Sequence, residues 1–188
     1  MTISGVDLRV GKNIEYNNSI CTVVEFSHIK PGKGPAFVRV RLKSWETSAI
    51  TEHTFRPEDK FTLVEIYEKP YQYLYTAGDE YWFMEKETYE QVALRKDVIK
   101  DNDKYLVENI DVLLLDYNGN IVGIKMPVVV EQRIKETEPG FKGDTATGGT
   151  KPAITETGLS IQVPLFVEVD DIVRIDTRTG GYVERAKR

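Results

Sequence analysis

Short runs of β-branched and aromatic residues, each closed by a turn signal, follow one another along this chain. Ile20-Cys21-Thr22-Val23-Val24-Glu25-Phe26 is one, and Ala36-Phe37-Val38-Arg39-Val40-Arg41-Leu42, alternating apolar and basic residues, is another. Period-2 alternation sends neighbouring side chains to opposite faces. It therefore sets Arg39, Arg41 and Lys43 on one face of a strand, with Phe37 or its neighbours on the other. Asn17-Asn18, Gly78-Asp79, Asn118-Gly119-Asn120 and Arg178-Thr179-Gly180-Gly181 read as hairpin turns. Thr62–Ile66, Tyr71–Tyr75, Glu80–Met84, Val112–Tyr117, Ile121–Ile124, Val128–Ile134, Ser160–Val169 and Ile172–Asp176 read as further strands, and Tyr182-Val183 as the return of the last hairpin. Residues 88–109 are the place for one or two short helical turns, and a long polar loop precedes Ser160.

The pattern breaks near residues 64 and 127. It predicts an all-β chain of three consecutive small barrels: 1–64, SH3-like; 65–127, OB-type; 128–188, OB-type. A length of 188 residues accommodates them. No apolar run is long enough for a membrane span, and the N-terminus lacks the basic start and apolar stretch of a secretory signal. One cysteine and two histidines exclude an intrachain disulfide and a Cys-rich zinc site, and a reducing, cytoplasmic setting is expected. The net charge of −5 is uneven: 1–64 carries an excess of basic residues, 65–127 holds the acidity, and 128–188 is near neutral. Residues 28–45 contain Lys30, Lys33, Arg39, Arg41 and Lys43 with no acid, a footprint for a polyanion.

No set of residues assembles a nucleophile, a base and an orienting group. Cys21 lies in an apolar strand, where a free cysteine packs as a small hydrophobe. His28 ends that strand facing solvent, and His53 takes a surface strand position. Glu58-Asp59 and Asp170-Asp171 are solvated pairs, and Gly32 and Gly34 lack the strand-to-helix setting of a dinucleotide loop. An enzyme, a cofactor or a metal is not expected. What stands out is Pro31-Gly32-Lys33-Gly34-Pro35. Two glycines let another molecule approach, and two prolines stiffen the backbone. At ~3.3 Å per residue, a strand arm of about nine residues would hold Lys33 roughly 30 Å from its far end. Gly143, Asp144 and Thr145 lie in a second, polar loop suited to contacts with sugar and phosphate.

The tip Lys30-Pro31-Gly32-Lys33-Gly34 resembles that of bacterial elongation factor P. So do Gly143-Asp144-Thr145-Ala146, Lys151-Pro152-Ala153, Val163-Pro164-Leu165-Phe166-Val167 and the ending from Val173 to Val183. The similarity spans the chain, with its motifs in order. It implies a KOW-type first domain and two OB-fold domains in an L shape like transfer RNA, homologous in the first two to eukaryotic and archaeal factor 5A. It also implies a monomer that binds the 70S ribosome between the peptidyl and exit sites and relieves stalling at consecutive prolines. Lys33 would lie at the acceptor end of the peptidyl-tRNA, supported by Lys30, Pro31, Gly32, Gly34 and Pro35. It is also where a lysine-modifying enzyme would act. Pro35 stands where many β-lysylated members carry a polar residue, and it narrows the loop without added atoms. Arg39, Arg41 and Lys43 would meet ribosomal RNA backbone, Gly143, Asp144 and Thr145 the exit-site codon, and Arg178, Tyr182 and Arg185 further RNA. The alternative is a free single-stranded nucleic-acid binder, with Tyr71, Tyr73, Tyr75, Tyr81 and Trp82 as its stacking platform. The acidity of the middle segment opposes it.

Overall fold

The computed structural model describes residues 1–140 and 149–186. The chain divides into two compact units, Met1–Ile66 and Tyr67–Arg188. Strands dominate both.

The first unit is one sheet: β1 (Thr2–Ser4), β2 (Asn13–Tyr16), β3 (Ser19–Ile29), β4 (Phe37–Ser44), β5 (Ile50–Phe55) and β6 (Lys60–Val64), in the spatial order β1-β6-β2-β3-β4-β5. Six strands form where about five were expected, because the short β1 carries no strand signal of its own and is held by pairing with β6. Asn17 and Asn18 turn β2 into β3 with φ of 51° and 59°. Positive φ at both central residues gives the twist a tight hairpin needs, and asparagine tolerates it. Val38, Val40 and Leu42 point inward from β4 and join Leu8, Ile14, Val23 and Phe61 in the core. Phe37 is half-buried and shares the parity of Arg39, Arg41 and Lys43. It belongs to the basic face, which corrects the sequence reading. The period decides the face, and hydrophobicity does not.

The second unit holds two five-stranded sheets. The middle sheet contains β7 (Tyr67–Ala77), β8 (Glu80–Glu85), β9 (Gln91–Arg95), β10 (Asp111–Tyr117) and β11 (Asn120–Lys125), ordered β11-β10-β7-β8-β9. Between β9 and β10 come the helical turn α1 (Lys96–Ile99) and a 3-10 segment, Lys100–Tyr105. The expected helical turns are present, but the same stretch also supplies β9, a strand the sequence reading missed. Its core is Tyr71, Tyr73, Phe83, Leu94, Ile99, Leu106, Val112 and Leu114. The third sheet contains β12 (Val129–Thr137), β13 (Thr150–Thr155), β14 (Ser160–Pro164), β15 (Ile172–Asp176) and β16 (Gly181–Arg185), ordered β14-β13-β12-β15-β16.

β13 replaces part of the long loop expected there. Proline cannot donate to the ladder, so a strand containing Pro152 needs a pairing that spares it. The pairing explains how it is accommodated. The β12 register runs only as far as Ala153, so Pro152 has a ladder partner only in β14, opposite Gln162, and on the β12 side its carbonyl accepts from the Thr137 hydroxyl at 2.9 Å.

Candidate functional site

β3 and β4 pair from Cys21–Ser44 to Ile29–Phe37, with a bulge between Val23 and Glu25. The connection beyond the last pair holds Lys30–Pro35, all exposed. Gly34 has φ of +105°, a conformation L side chains rarely adopt. A β-carbon at Gly32 would meet nothing within 4 Å, and one at Gly34 would reach only Pro31 Cγ at 4.0 Å. The fold therefore sets no steric requirement for glycine at 32. Among the described residues neither Lys30 nor Lys33 enters an ion pair.

The basic face of β4 is less free than its sequence suggests. Arg41 Nη1 donates to Glu25 Oε1 at 2.8 Å, and Arg39 Nε lies 3.7 Å from Glu52 Oε1. Both carboxylates come from the flanking strands β3 and β5. Period-2 reading gives a face and omits its neighbours. Outward Glu25 and Glu52 become visible only once antiparallel partners are aligned. Exposed pairs of this kind are worth about 0–1 kcal/mol, so a polyanion can displace the acids. Lys43 has no ion pair among the described residues. His28 is exposed opposite Val38. His53 is half-buried against Tyr16, ring centroids 4.7 Å apart, and lies parallel to Phe55 at 5.8 Å. It serves an aromatic cluster rather than a plain surface position.

The third-sheet candidates divide. Gly143, Asp144 and Thr145 lie outside the described residues. Arg178 bonds Asp176 twice, Nη2 to Oδ2 at 2.6 Å and Nε to Oδ1 at 3.0 Å. The guanidinium holds that carboxyl down to about 2. Arg185 lies 3.4 Å from Asp171 Oδ2 and over the Phe166 ring at 5.4 Å. Tyr182 packs half-buried on the third core, and burial pushes its phenol up. Tyr71 and Tyr73 are buried and Tyr81 packs on the same core, so of the five candidate stacking residues only Tyr75 and Trp82 face outward, as a stacked pair at 6.1 Å. Cys21 is buried, which pushes its thiol up. Among the described residues no cluster of His, Cys, Asp and Glu is arranged to hold a metal. Among the described residues no helix is long and apolar enough to cross a membrane.

The family model described as the elongation factor P KOW-like domain matches residues 4–61. Its OB-domain counterpart matches 66–124, and the elongation factor P C-terminal model matches 130–185. The chain belongs to the elongation factor P family. The elongation factor P of Moorella thermoacetica is 54% identical over 184 residues, covering 98% of this chain and all of that one. That of Acetivibrio thermocellus is 55% identical over 183 residues, covering 97% and 99%. A solved archaeal relative in fold, eukaryotic translation initiation factor 5A from Methanococcus jannaschii, aligns with a TM-score of 0.54 at 24% identity, covering 68% of this chain and 92% of that one. The expected fold class, a KOW-like domain followed by OB-type barrels, holds, and family membership makes the chain a translation elongation factor.

Proposed function

We propose that this factor binds the 70S ribosome between the peptidyl and exit sites, and that Lys33 contacts the acceptor end of the peptidyl-tRNA and so relieves stalling at consecutive prolines. The observation that carries this reading is an exposed lysine that enters no ion pair among the described residues, at the tip of the β3–β4 arm, in a loop where a β-carbon at Gly32 would meet nothing within 4 Å. The proline ring fixes φ and makes the residue both a poor acceptor and a poor donor. Holding the acceptor end lowers the entropic cost of reaching the attack geometry. The peptidyl-transfer chemistry stays with the ribosome, and the factor needs no cofactor.

In this reading Lys30, Lys43 and the Arg39–Arg41 face anchor on ribosomal RNA phosphates, and Gly143, Asp144 and Thr145 meet the exit-site codon. Residues 1–64, 65–127 and 128–188 act as three domains of a cytoplasmic monomer. Lys33 works without an added extension, because Pro31 and Pro35 already restrict the tip.

The test is reconstituted translation of a Pro-Pro-Pro template with recombinant, unmodified protein, alongside co-sedimentation with 70S ribosomes and with free RNA. Rescue together with ribosome binding is expected. Tight binding to free single-stranded RNA with no rescue would favour the alternative binder. Replacing Arg39 and Arg41 by alanine should weaken ribosome association and flatten its dependence on salt, by a slope of about 1–2 in log–log terms. A salt slope that the two replacements leave unchanged would remove these arginines from the interface.

A further inference from the structure

The last turn of the 3-10 segment straddles two cores. Leu106 belongs to the middle core, whereas Tyr105, 4% exposed, lies within the third, among Val130, Ile134, Val163, Val173 and Ile175. Ile110 and Met126 pack against both. One residue before Tyr105, the Lys104 carbonyl accepts from Gln132 Nε2 at 2.8 Å, and the Thr157 hydroxyl lies 2.7 Å from the same oxygen. Thr157 is also 3.0 Å from Gln132 Oε1, so its single proton serves this pair of acceptors. Gln132 is 1% exposed.

A second set of contacts comes from the β15–β16 turn. Thr177 donates its hydroxyl to the Pro127 carbonyl at 2.7 Å and its amide to the Val128 carbonyl at 2.9 Å, tying down the connection from β11 to β12. Arg178 braces Asp176, and the Gly180 amide closes the turn on the Asp176 carbonyl at 2.8 Å. A β-carbon at Gly180 would stand 3.2 Å from the Tyr105 hydroxyl oxygen, and φ there is +72°.

We infer that Tyr105, Gln132, Thr157 and the Asp176–Gly181 turn form an interlock that holds the middle and third sheets as one rigid body, and that these are positioning residues for the factor. Apolar packing alone would let the sheets slide. A buried amide and a buried carbonyl do not, since any shift strands both without partners. The interlock gives Arg178 the duty of bracing the turn. It also fixes where the contacts of the third sheet stand relative to the middle sheet. The functional half of the inference rests on the ribosomal reading proposed above.

Residual dipolar couplings of the full chain test the interlock. In the wild type both sheets should fit one alignment tensor. In the double variant Gln132→Leu, Thr157→Val each sheet should keep its internal couplings while the two require different tensors, and rescue of a Pro-Pro-Pro template should fall several-fold at saturating factor. Thr157→Ser retains the hydroxyl and should keep the single tensor, which covers the case in which the double variant fails to fold. Gly180→Ala should loosen the joint less in a Tyr105→Phe background than alone. The backbone strain is the same in both, and only the hydroxyl contact differs. Different tensors in the wild type, or one tensor retained in the folded double variant, would overturn the interlock. Split tensors with undiminished rescue would overturn the positioning role. A wild type that never rescues would instead count against the ribosomal reading and leave the tensor result to decide the interlock.

Discussion

The β3–β4 loop and the β15–β16 turn are both basic, glycine-bearing connections between antiparallel strands, and they end in opposite states. In the first, Lys30 and Lys33 extend from a tip that little else among the described residues touches. In the second, Arg178 is engaged on Asp176, Thr177 on Pro127, and Gly180 faces the Tyr105 hydroxyl. A cation in a glycine turn is therefore not by itself a signal for a ligand. The informative difference is whether the surrounding chain consumes its hydrogen-bonding capacity. Among the described residues the first loop leaves its two lysines without ion pairs, and the second pairs its arginine on Asp176 and ties Thr177 into the fold.

Four substitutions sharpen or break this contrast. Lys33→Ala should have the largest effect, a loss of rescue on a Pro-Pro-Pro template of at least about tenfold, equivalent to ~1.4 kcal/mol, with only a moderate fall in ribosome binding. Translation of that template at the wild-type rate would make the two loops functionally equivalent and end the comparison. Gly180→Ala acts through stability instead. Its positive φ and the nearby hydroxyl predict a cost of about 1–2 kcal/mol, read as a lower Tm.

Pro35→Gln tests stiffness at the free tip. It should reduce rescue only a few-fold, in keeping with the ~0.4–1 kcal/mol that proline contributes by restricting the chain at compatible positions. Its thermal midpoint should barely move, and a large fall in Tm would assign Pro35 to folding. The smallest effect is expected from Arg178→Ala. Asp176, held near 2 by that guanidinium, should titrate closer to the ordinary 3.8, as followed by carboxyl NMR. A depressed carboxyl pKa means that the pairing is complete above 3.8 and is lost as pH falls from there toward 2. The turn of the variant should therefore loosen at a higher pH than that of the wild type.

Much of the first sheet was legible because its signals are local. Asn17-Asn18 marks a turn whatever else the chain does, and the alternation in β4 survives any change of neighbour. The same holds for the hairpins at Gly78-Asp79 and Asn118-Gly119-Asn120. What the sequence hid depends on partners distant along the chain. β9 is a strand because β8 offers it an edge. Pro152 fits a strand because β12 ends its pairing one residue away. The acids that face Arg39 and Arg41 come from two other strands, and Tyr105 reads as an ordinary residue of a helical turn until the third core is seen around it. Lys33 could be singled out beforehand because its signal, Pro31-Gly32-Lys33-Gly34-Pro35, is itself local.

The placement of β6 between β1 and β2 has a consequence for the birth of the protein. Thr2, Ile3 and Ser4 pair with Thr62, Phe61 and Lys60, and Asn13 and Ile14 pair with Val64 and Leu63. Within this sheet β1 and β2 thus share a neighbour made some fifty residues later. At about 5–20 residues per second this interval lasts several seconds, during which β3, β4 and β5 can already zip while β1 and one edge of β2 stand open. Synthesis halted before Lys60 would leave the tip lysine on its β3–β4 arm while β1 and one edge of β2 lack the β6 partner that joins them.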